Sequence, residues 1–187
     1  MKKFSRCLIA LSFYFVLNSS IFANRWTPEM MIKYQRLSST AISEDGKFIA
    51  YEISTPILES EKSEFHSQIW LLSTYDESRF QLTQGKTSSS QPKFSPDNKW
   101  LGFLSARGEK KTRQLFIISV SGGESIQITD VASSVNRFDW SPDAMKIAFT
   151  MADPETDDDK KRKKEKRDWK IVDEDYKYNH LYVVSIK

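Results

Sequence analysis

The sequence predicts an all-β fold, a partial β-propeller of about two and a half blades of four antiparallel strands, with a short N-terminal helix. Two observations support this prediction: one turn motif occurs three times, and two strand motifs repeat in register with it. The copies of the turn motif occupy residues 43–51, 95–103 and 141–149, so they start 52 and then 46 residues apart. Repeats of about 40–50 residues built from short strands and turns are typical of propeller blades.

Each copy of the turn motif begins with a serine and has an aspartate two residues later: Asp45, Asp97 and Asp143. Such an aspartate accepts hydrogen bonds from nearby backbone amides, so we interpret the three as turn residues and not as paired catalytic carboxylates. Ala144 stands where the other copies have Gly46 and Asn98. Either the third turn is of a different type, or it accepts some backbone strain.

The two strand motifs keep the same spacing. The first is a polar or histidine residue followed by four apolar or aromatic ones, at residues 68–72, 114–118 and 180–184. The second reads Gln-Leu-Thr at residues 81–83 and Gln-Ile-Thr at residues 127–129. The strand predicted at residues 48–53 is apolar on both faces, which indicates a sheet that is covered on both sides, as in stacked blades.

From this register we predict blade 1 at about residues 36–84, blade 2 at about 90–130 and the start of blade 3 at about 135–187. Thr27 is expected to cap a short helix that begins at Pro28. Hairpin turns are predicted at residues 74–78 and at residues 121–124, where paired glycines suit positive φ values. We expect the polar residues 56–65 to form a loop.

The third repeat contains a charged insertion at residues 153–176. Asp143 and Leu181 are 38 residues apart, whereas the equivalent Asp97 and Leu115 are 18 apart, so roughly twenty residues are added. Three aspartates at residues 157–159 precede a basic run at residues 160–167. Mixed charges of this kind usually form a solvated, mobile loop. Binding of a polyanion by the basic run is the alternative, and the neighbouring acids stand against it.

Residues 1–23 have the pattern of a secretory signal peptide. A basic start precedes an apolar run at residues 7–17, and the small residues that follow suit cleavage after Ala23. The run is well short of the ~20 residues of a spanning helix, so we expect export to the periplasm or the medium, with no membrane association after cleavage. Cleavage would remove three positive charges, no negative charge and the single cysteine, Cys7, which leaves a net charge of zero. Nucleic acid is therefore not an expected partner.

The sequence offers no catalytic, cofactor-binding or metal site. The Gly-x-Ser-x-Gly motif of serine hydrolases is absent, and neither histidine is a good candidate base, because His66 falls in a predicted polar loop and His180 begins an apolar strand. The aspartates at residues 157–159 lack the alternating ligands and the glycine of a calcium loop, and two distant histidines do not make a zinc site. We therefore predict no catalytic residue, no cofactor and no metal.

Several stretches together resemble the N-terminal propeller of the prolyl oligopeptidase-family serine peptidases, in particular the acylaminoacyl-peptidase and dipeptidyl-peptidase branch. They are the Trp-Thr-Pro-Glu start at residues 26–29, the Ala-Ile-Ser-Glu-Asp-Gly-Lys stretch at residues 41–47, the Ser-Pro-Asp turns, the Gln-Leu-Thr and Gln-Ile-Thr strand ends, residues 179–184 and a charged insertion ending at residues 173–176. The resemblance covers residues 26–187, although TolB-like propellers share the turns.

The resemblance implies a propeller that covers a C-terminal α/β-hydrolase domain and restricts its access to short peptides. In that family the catalytic serine, aspartate and histidine lie in the second domain, and none has a matching position here. We therefore expect a chain without the hydrolase domain, non-catalytic by itself, which meets peptide substrates only through the missing domain. The alternative is a non-enzymatic TolB-like module that binds envelope proteins. Because few blades leave apolar faces uncovered, self-association is also expected.

Overall fold

The computed structural model describes residues 27–59, 62–166 and 177–186. Helix α1 spans Pro28–Lys33 and belongs to the unit Met1–Lys33, whereas the strands of the described residues belong to the unit Tyr34–Lys187. The predicted signal peptide and the end of the predicted insertion, residues 167–176, lie outside the described residues. Within the described ranges, no helix combines the length and the apolar character that crossing a bilayer requires.

Helix α1 begins as the sequence predicts. The Thr27 hydroxyl accepts a hydrogen bond from the backbone N–H of Met30 at 3.3 Å, and the Thr27 carbonyl accepts one from the N–H of Met31 at 3.2 Å. The hydroxyl satisfies a donor that the start of a helix leaves without an intrahelical partner, and Pro28 has no N–H to satisfy. The predicted cap is confirmed.

The strands of the described residues form three antiparallel sheets, each paired in chain order. The first sheet contains β1 (Arg36–Ile42), β2 (Phe48–Glu59), β3 (Lys62–Ser73) and β4 (Arg79–Gln81). The second contains β5 (Ser89–Phe94), β6 (Trp100–Ser105), β7 (Gln114–Ser119) and β8 (Ile126–Gln127), and the third β9 (Val135–Trp140), β10 (Lys146–Ala152) and β11 (Asn179–Ser185). The predicted all-β fold of repeated sheets is confirmed, and β5 begins one residue before the range predicted for blade 2.

The core lies between the sheets. One buried cluster joins the first sheet to the second and contains Ala50, Ile69, Leu71, Leu82, Leu101, Phe103, Phe116, Ile118 and Val120. A second cluster joins the second sheet to the third and contains Leu104, Leu115, Ile117, Val135, Phe138, Ile147 and Phe149. Strands β6 and β7 contribute to both clusters through alternate residues, which explains why they are apolar on both faces. The second sheet is therefore covered on both sides.

Phe103 stacks on Phe116 with ring centroids 5.7 Å apart, and Phe149 stacks on Tyr182 at 5.5 Å. These are the same two repeat positions in successive sheets, so the repeat preserves individual contacts as well as the backbone path. On the opposite face, β11 and β7 differ in how far their equivalent residues are exposed to solvent. Leu181 and Val183 are 70% and 62% exposed, whereas Leu115 and Ile117 of β7 are buried.

The three repeated turns share one hydrogen-bond arrangement. In each turn the serine hydroxyl donates to the aspartate two residues later, at 2.5–2.7 Å, in the pairs Ser43–Asp45, Ser95–Asp97 and Ser141–Asp143. The same carboxylate oxygen accepts a backbone N–H two residues further on, at 3.0–3.2 Å. These bonds, the serine bond first, hold the pKa of all three aspartates below the ordinary value. Their interpretation as turn residues agrees with this geometry.

Ala144 adopts a φ of 57°, close to the 58° of Asn98 and the 68° of Gly46. The third turn is therefore of the same type as the others, and it places a residue with a Cβ in the left-handed region, which costs ~1–2 kcal/mol. The sequence left open a different turn type or backbone strain at Ala144, and the structure shows the backbone strain. The predicted glycine hairpin also forms, with Gly122 at 90° and Gly123 at 113°.

We predicted residues 56–65 to be a loop, but residues 56–59 and 62–65 extend strands β2 and β3 instead. The ladder continues from Thr55 paired with His66 to Glu59 paired with Lys62. The Ser54 and Ser67 hydroxyls face each other across it at 2.5 Å. The prediction was wrong because polarity was taken as a loop signal, whereas a hairpin beyond the core is solvated and needs no apolar face. The structure also places His66 on β3 and not in a loop.

Part of the charged insertion, also predicted to be a loop, forms helix α2 (Asp157–Lys164). Thr156 caps it, because the Asp159 N–H donates to the Thr156 hydroxyl at 3.2 Å and the Thr156 N–H donates to the Asp159 carboxylate at 2.9 Å. The aspartates fill its first turn and the basic residues its last, as the helix dipole favours. The loop prediction overlooked this order of charges.

A buried glutamine–threonine pair closes each of the first two sheets. Thr129 donates its hydroxyl hydrogen to Gln114 Oε1 at 2.8 Å and accepts the Leu115 N–H at 2.9 Å. Thr83 makes the same two bonds in the first sheet, to Gln68 at 2.6 Å and from Ile69 at 2.9 Å. Buried polar groups are costly unless they are hydrogen-bonded. The pairing therefore explains why the strand motifs repeat a glutamine and a threonine among apolar residues.

Gly102 of the second sheet packs closely against Phe138 of the third. A Cβ at this position would lie 2.7 Å from Phe138 Cε2. We expect Gly102→Ala to lower the free energy of unfolding by about 1–3 kcal/mol, because the Phe138 ring must move out of the inter-sheet core. Urea denaturation of the purified chain measures this change.

The matched control for that substitution is Gly108→Ala, whose new Cβ would meet only the flexible Gln127 side chain, at 3.4 Å. It should change the unfolding free energy by less than about 0.5 kcal/mol. Equal effects of the two substitutions would contradict the close packing of the second sheet on the third.

Candidate functional site

The first strand of each sheet, β1, β5 or β9, carries a β-bulge. The register of β1 shifts between Leu37 and Thr40, and that of β5 shifts between Ser90 and Lys93. In the third sheet the shift falls where Thr150 and Met151 of β10 pair with β9. A bulge adds an unpaired residue and re-aims side chains, and bulges are over-represented at sheet edges and next to functional sites. The three first strands are thus modified in the same way at equivalent positions.

An open groove of about 480 Å³ lies along these first strands and is lined by residues 39–42 of β1, residues 91–94 of β5 and Asp139 of β9. We call it the first-strand groove. Its volume falls within the range of sites that hold small ligands, about 300–1,000 Å³. The groove crosses all three sheets, so its shape depends on how the sheets pack.

One ion pair ties the second sheet to the third in this groove. Lys93 Nζ lies 3.0 Å from Asp139 Oδ2, and Trp140 donates its indole N–H to the Lys93 carbonyl at 3.1 Å. The Lys93 and Asp139 side chains are 42% and 76% exposed, so water and salt screen their attraction and it contributes little to stability. Both charges remain accessible to a ligand in the groove.

Behind the groove lies Glu52, a buried acidic residue that is 8% exposed. Its Oε2 accepts the backbone N–H of Gln91 at 3.4 Å, and Gln91 has a positive φ of 55°. The equivalent residues of the other sheets are Leu104 and Thr150. A carboxylate in a buried position costs free energy, and the repeat shows that the fold accepts an apolar residue there. We therefore regard Glu52 as part of the candidate site.

The histidines form no catalytic constellation within the described residues. His66 Nε2 lies 3.0 Å from Gln68 Nε2, and His180 Nε2 lies 3.1 Å from Asp153 Oδ1 on the third sheet. The hydrogen bonds of the described residues bring no serine hydroxyl to either imidazole. No group of three potential metal ligands occurs in the described ranges. The groove has the size of a small-ligand site, but the described residues place no serine hydroxyl beside a histidine.

The basic run is partly neutralised where it is described. Lys160 pairs with Asp157 at 3.0 Å, Arg162 with Asp159 at 2.9 Å, and Lys163 with Glu155. A side chain that already pairs with a neighbouring carboxylate binds a polyanion less strongly. These ion pairs therefore argue against binding of a polyanion by the basic run. That no nucleic acid binds stays a prediction.

Sequence reasoning did not single out the residues of the first-strand groove. Lys93 and Asp139 stand 46 residues apart, one repeat, but each is a common surface residue. The one signal that could have found the site is Glu52, since the repeat aligns it with Leu104. An acid in a strand that is otherwise buried is an exception to the pattern, and such exceptions concentrate at functional positions.

Residues 46–112 match the family model described as "Acylamino-acid-releasing enzyme, N-terminal domain". The chain is 36% identical over 108 residues to "Uncharacterized peptidase YuxL" of Bacillus subtilis, a match that covers 58% of this chain and 16% of the relative. It is 26% identical over 125 residues to "Dipeptidyl-peptidase 5" of Porphyromonas endodontalis, covering 66% of this chain and 17% of the relative. The chain thus spans about a sixth of the length of these relatives.

The sheets also superpose on solved structures. Pyrococcus horikoshii acylaminoacyl peptidase matches 71% of this chain and 20% of its own, with a TM-score of 0.58 and 20% identity. The structure of putative TolB from Agrobacterium tumefaciens matches 65% of this chain and 40% of its own, with a TM-score of 0.51 and 24% identity. At these identities the likeness shows the fold alone.

The three sheets resemble blades of the N-terminal propeller of prolyl oligopeptidase-family peptidases. The resemblance stated from the turn motifs and strand ends is confirmed. The matched segment, residues 46–112, runs from the first turn through strand β6 of the second sheet, so it contains most of the core between those sheets. In this propeller, β1, β5 and β9 occupy the same position in successive blades.

Glu52→Leu tests whether the buried carboxylate serves the fold. We expect this substitution to raise the free energy of unfolding by about 1–2 kcal/mol, because replacing a buried charged group by an apolar one of similar volume is often stabilising. Chemical denaturation near neutral pH measures it, with Glu52→Gln as the matched control that keeps an acceptor for the Gln91 N–H. A clear loss of stability in Glu52→Leu would show that the carboxylate holds the blades together.

Proposed function

We propose that this chain forms the N-terminal propeller part of an exported serine peptidase that cleaves short peptides, and that it is non-catalytic by itself. The observation that carries the proposal is the match of residues 46–112 to the N-terminal domain of acylamino-acid-releasing enzymes. The names of the relatives support the substrate class, since both are peptidases and one is a dipeptidyl-peptidase. The absence of Gly-x-Ser-x-Gly from the sequence supports a non-catalytic role.

The first-strand groove suggests how such a propeller would act on substrate access. Its charges, Lys93 and Asp139, are exposed, and the bulges turn residues such as Ser39 and Gln91 toward it. A surface of this kind binds polar, extended chains weakly, through side chains that are already hydrated. The propeller would therefore select peptide substrates by their size and by the route along which they reach the active site. Hydrolysis itself would take place in a hydrolase domain.

A TolB-like module for binding envelope proteins is the alternative function, because the fold of TolB is shared. The gene region that follows the codon for Lys187 discriminates between them. A Gly-x-Ser-x-Gly motif between a strand and a helix in the same reading frame supports the peptidase. Further blades followed by a stop codon, without such a motif, would favour the TolB-like module.

A chimera tests the peptidase assignment directly. The segment of the Porphyromonas endodontalis dipeptidyl-peptidase that aligns with this chain is replaced by the chain's own residues, and hydrolysis of a chromogenic dipeptide is followed. We expect inhibitor-sensitive turnover by the chimera and none by the 187-residue chain alone. The control chimera carries the equivalent segment of the Agrobacterium TolB.

Two results would overturn the proposal. One is a chimera that melts cooperatively, and is therefore folded, but has no activity while the unmodified peptidase is active. The other is turnover by the purified chain alone that a serine-directed inhibitor abolishes, which would refute the non-catalytic role.

Export is tested by fusing residues 1–30 to a reporter phosphatase that is active only outside the cytoplasm. We expect activity from the native leader and a loss of at least about tenfold when Leu8 and Leu11 are both replaced by arginine, because charges interrupt the apolar run. Replacing both by isoleucine is the matched control and should preserve export. Equal activity from the arginine and native fusions would argue against a signal peptide.

A further inference from the structure

A second cleft, separate from the first-strand groove, lies between the first two sheets. It is lined by residues 80–84 at the end of the first sheet, by residues 122–125 of the β7–β8 hairpin, and by Arg107 and Ile118. Its volume is about 520 Å³. The cleft thus has the size of a small-molecule site, and a cation lies in its wall.

The guanidinium of Arg107 is held in a fixed position. Its Nη2 donates to the Ser89 hydroxyl at 2.8 Å, its Nη1 to the Ser125 hydroxyl at 3.0 Å and its Nε to the Ser105 hydroxyl at 3.2 Å. The same group lies over the rings of Phe103 and Phe116, with its central carbon 5.1 and 5.5 Å from their centroids. Stacking and hydrogen bonds together pre-organise a planar cation.

This cation has only neutral partners among the described residues. The ion pairs of the described ranges do not include Arg107, and its hydrogen bonds all go to serine hydroxyls. Partial burial lowers its pKa, which indicates that the charge is poorly solvated. A guanidinium carries five N–H donors, so three bonds leave two for a further acceptor.

The repeat shows that the fold does not require an arginine at this position. The residues one repeat earlier and one repeat later are Thr55 and Asp153. A side chain that only closed the gap between sheets would need no charge. The positive charge is therefore a property of this cleft and not of the blade.

We propose that Arg107 binds an organic carboxylate that carries an apolar group, such as the free carboxyl end of a short peptide. A carboxylate fits the planar guanidinium in a bidentate manner. The apolar group would contact Phe80, which is 43% exposed, and Ile118. Gly122 and Gly123 leave the backbone beside the cleft open, since a Cβ on either would meet nothing within 4 Å. This site goes beyond the proposed function and does not depend on it.

The test uses the full 187-residue chain and two matched probes, N-acetylphenylalanine and N-acetylphenylalaninamide. Isothermal titration calorimetry should show that the acid binds at least about tenfold more tightly than the amide, since only the acid forms the charge-assisted pair. Arg107→Gln should abolish this preference. Arg113→Gln is the control, because Arg113 is exposed and does not line the cleft.

Nuclear magnetic resonance of the unsubstituted chain gives a second readout, which does not depend on how Arg107→Gln folds. Addition of the acid should shift the backbone amide signals of Gly122 and Gly123 and the ring signals of Phe80. Glu124 also lines the cleft, and Glu124→Gln should tighten binding of the acid by removing a like charge.

Equal affinity for the acid and the amide, or a folded Arg107→Gln that keeps the preference, would overturn the proposal. So would shifts confined to residues remote from the cleft, or weaker binding by Glu124→Gln. If inorganic phosphate displaces the acid and binds as tightly as it does, the site recognises a bare anion, and the apolar part of the proposal fails.

Discussion

The core and both clefts of the described residues depend on the packing of one sheet against the next through apolar faces. The second sheet contributes Phe103 and Phe116 to the cluster shared with the first sheet, and Leu115 and Ile117 to the cluster shared with the third. Because both faces are used, the strands cannot show the alternation of apolar and polar residues that a half-exposed sheet shows. The first-strand groove crosses all three sheets, and the cleft that contains Arg107 lies between the first two, so inter-sheet packing sets the shapes of both.

Polar groups within these interfaces fall into two kinds. The glutamine–threonine pairs repeat from sheet to sheet and have their hydrogen bonds made internally, which marks them as parts of the blade. Glu52 and Arg107 do not repeat, and each has fewer or weaker polar partners than its charge would favour. In a repeat fold, the equivalent position in a neighbouring blade shows which residue the architecture alone requires. A residue that departs from it can therefore be recognised by comparing the blades.

The sequence predicted most of the architecture, and the reasons for its failures are physical. Turn chemistry and glycine pairs act locally, so the three turns and the hairpin at Gly122 and Gly123 followed from the residues themselves. The extended β2–β3 hairpin and helix α2 were missed because both lie beyond the core, where no apolar face marks secondary structure. The groove was missed because surface charges such as Lys93 acquire a role only through residues brought to them from other blades.

The burial of both faces of the second sheet also affects how the described residues fluctuate. Local opening reaches first the segments with the least buried surface, and the exposed Leu181 and Val183 show that β11 keeps one face in water. Amide hydrogens of β6 and β7, enclosed by neighbours on both sides, can exchange with solvent only after an adjoining sheet has separated. Among the described residues, the amides of β6 and β7 should therefore exchange more slowly than those of β11.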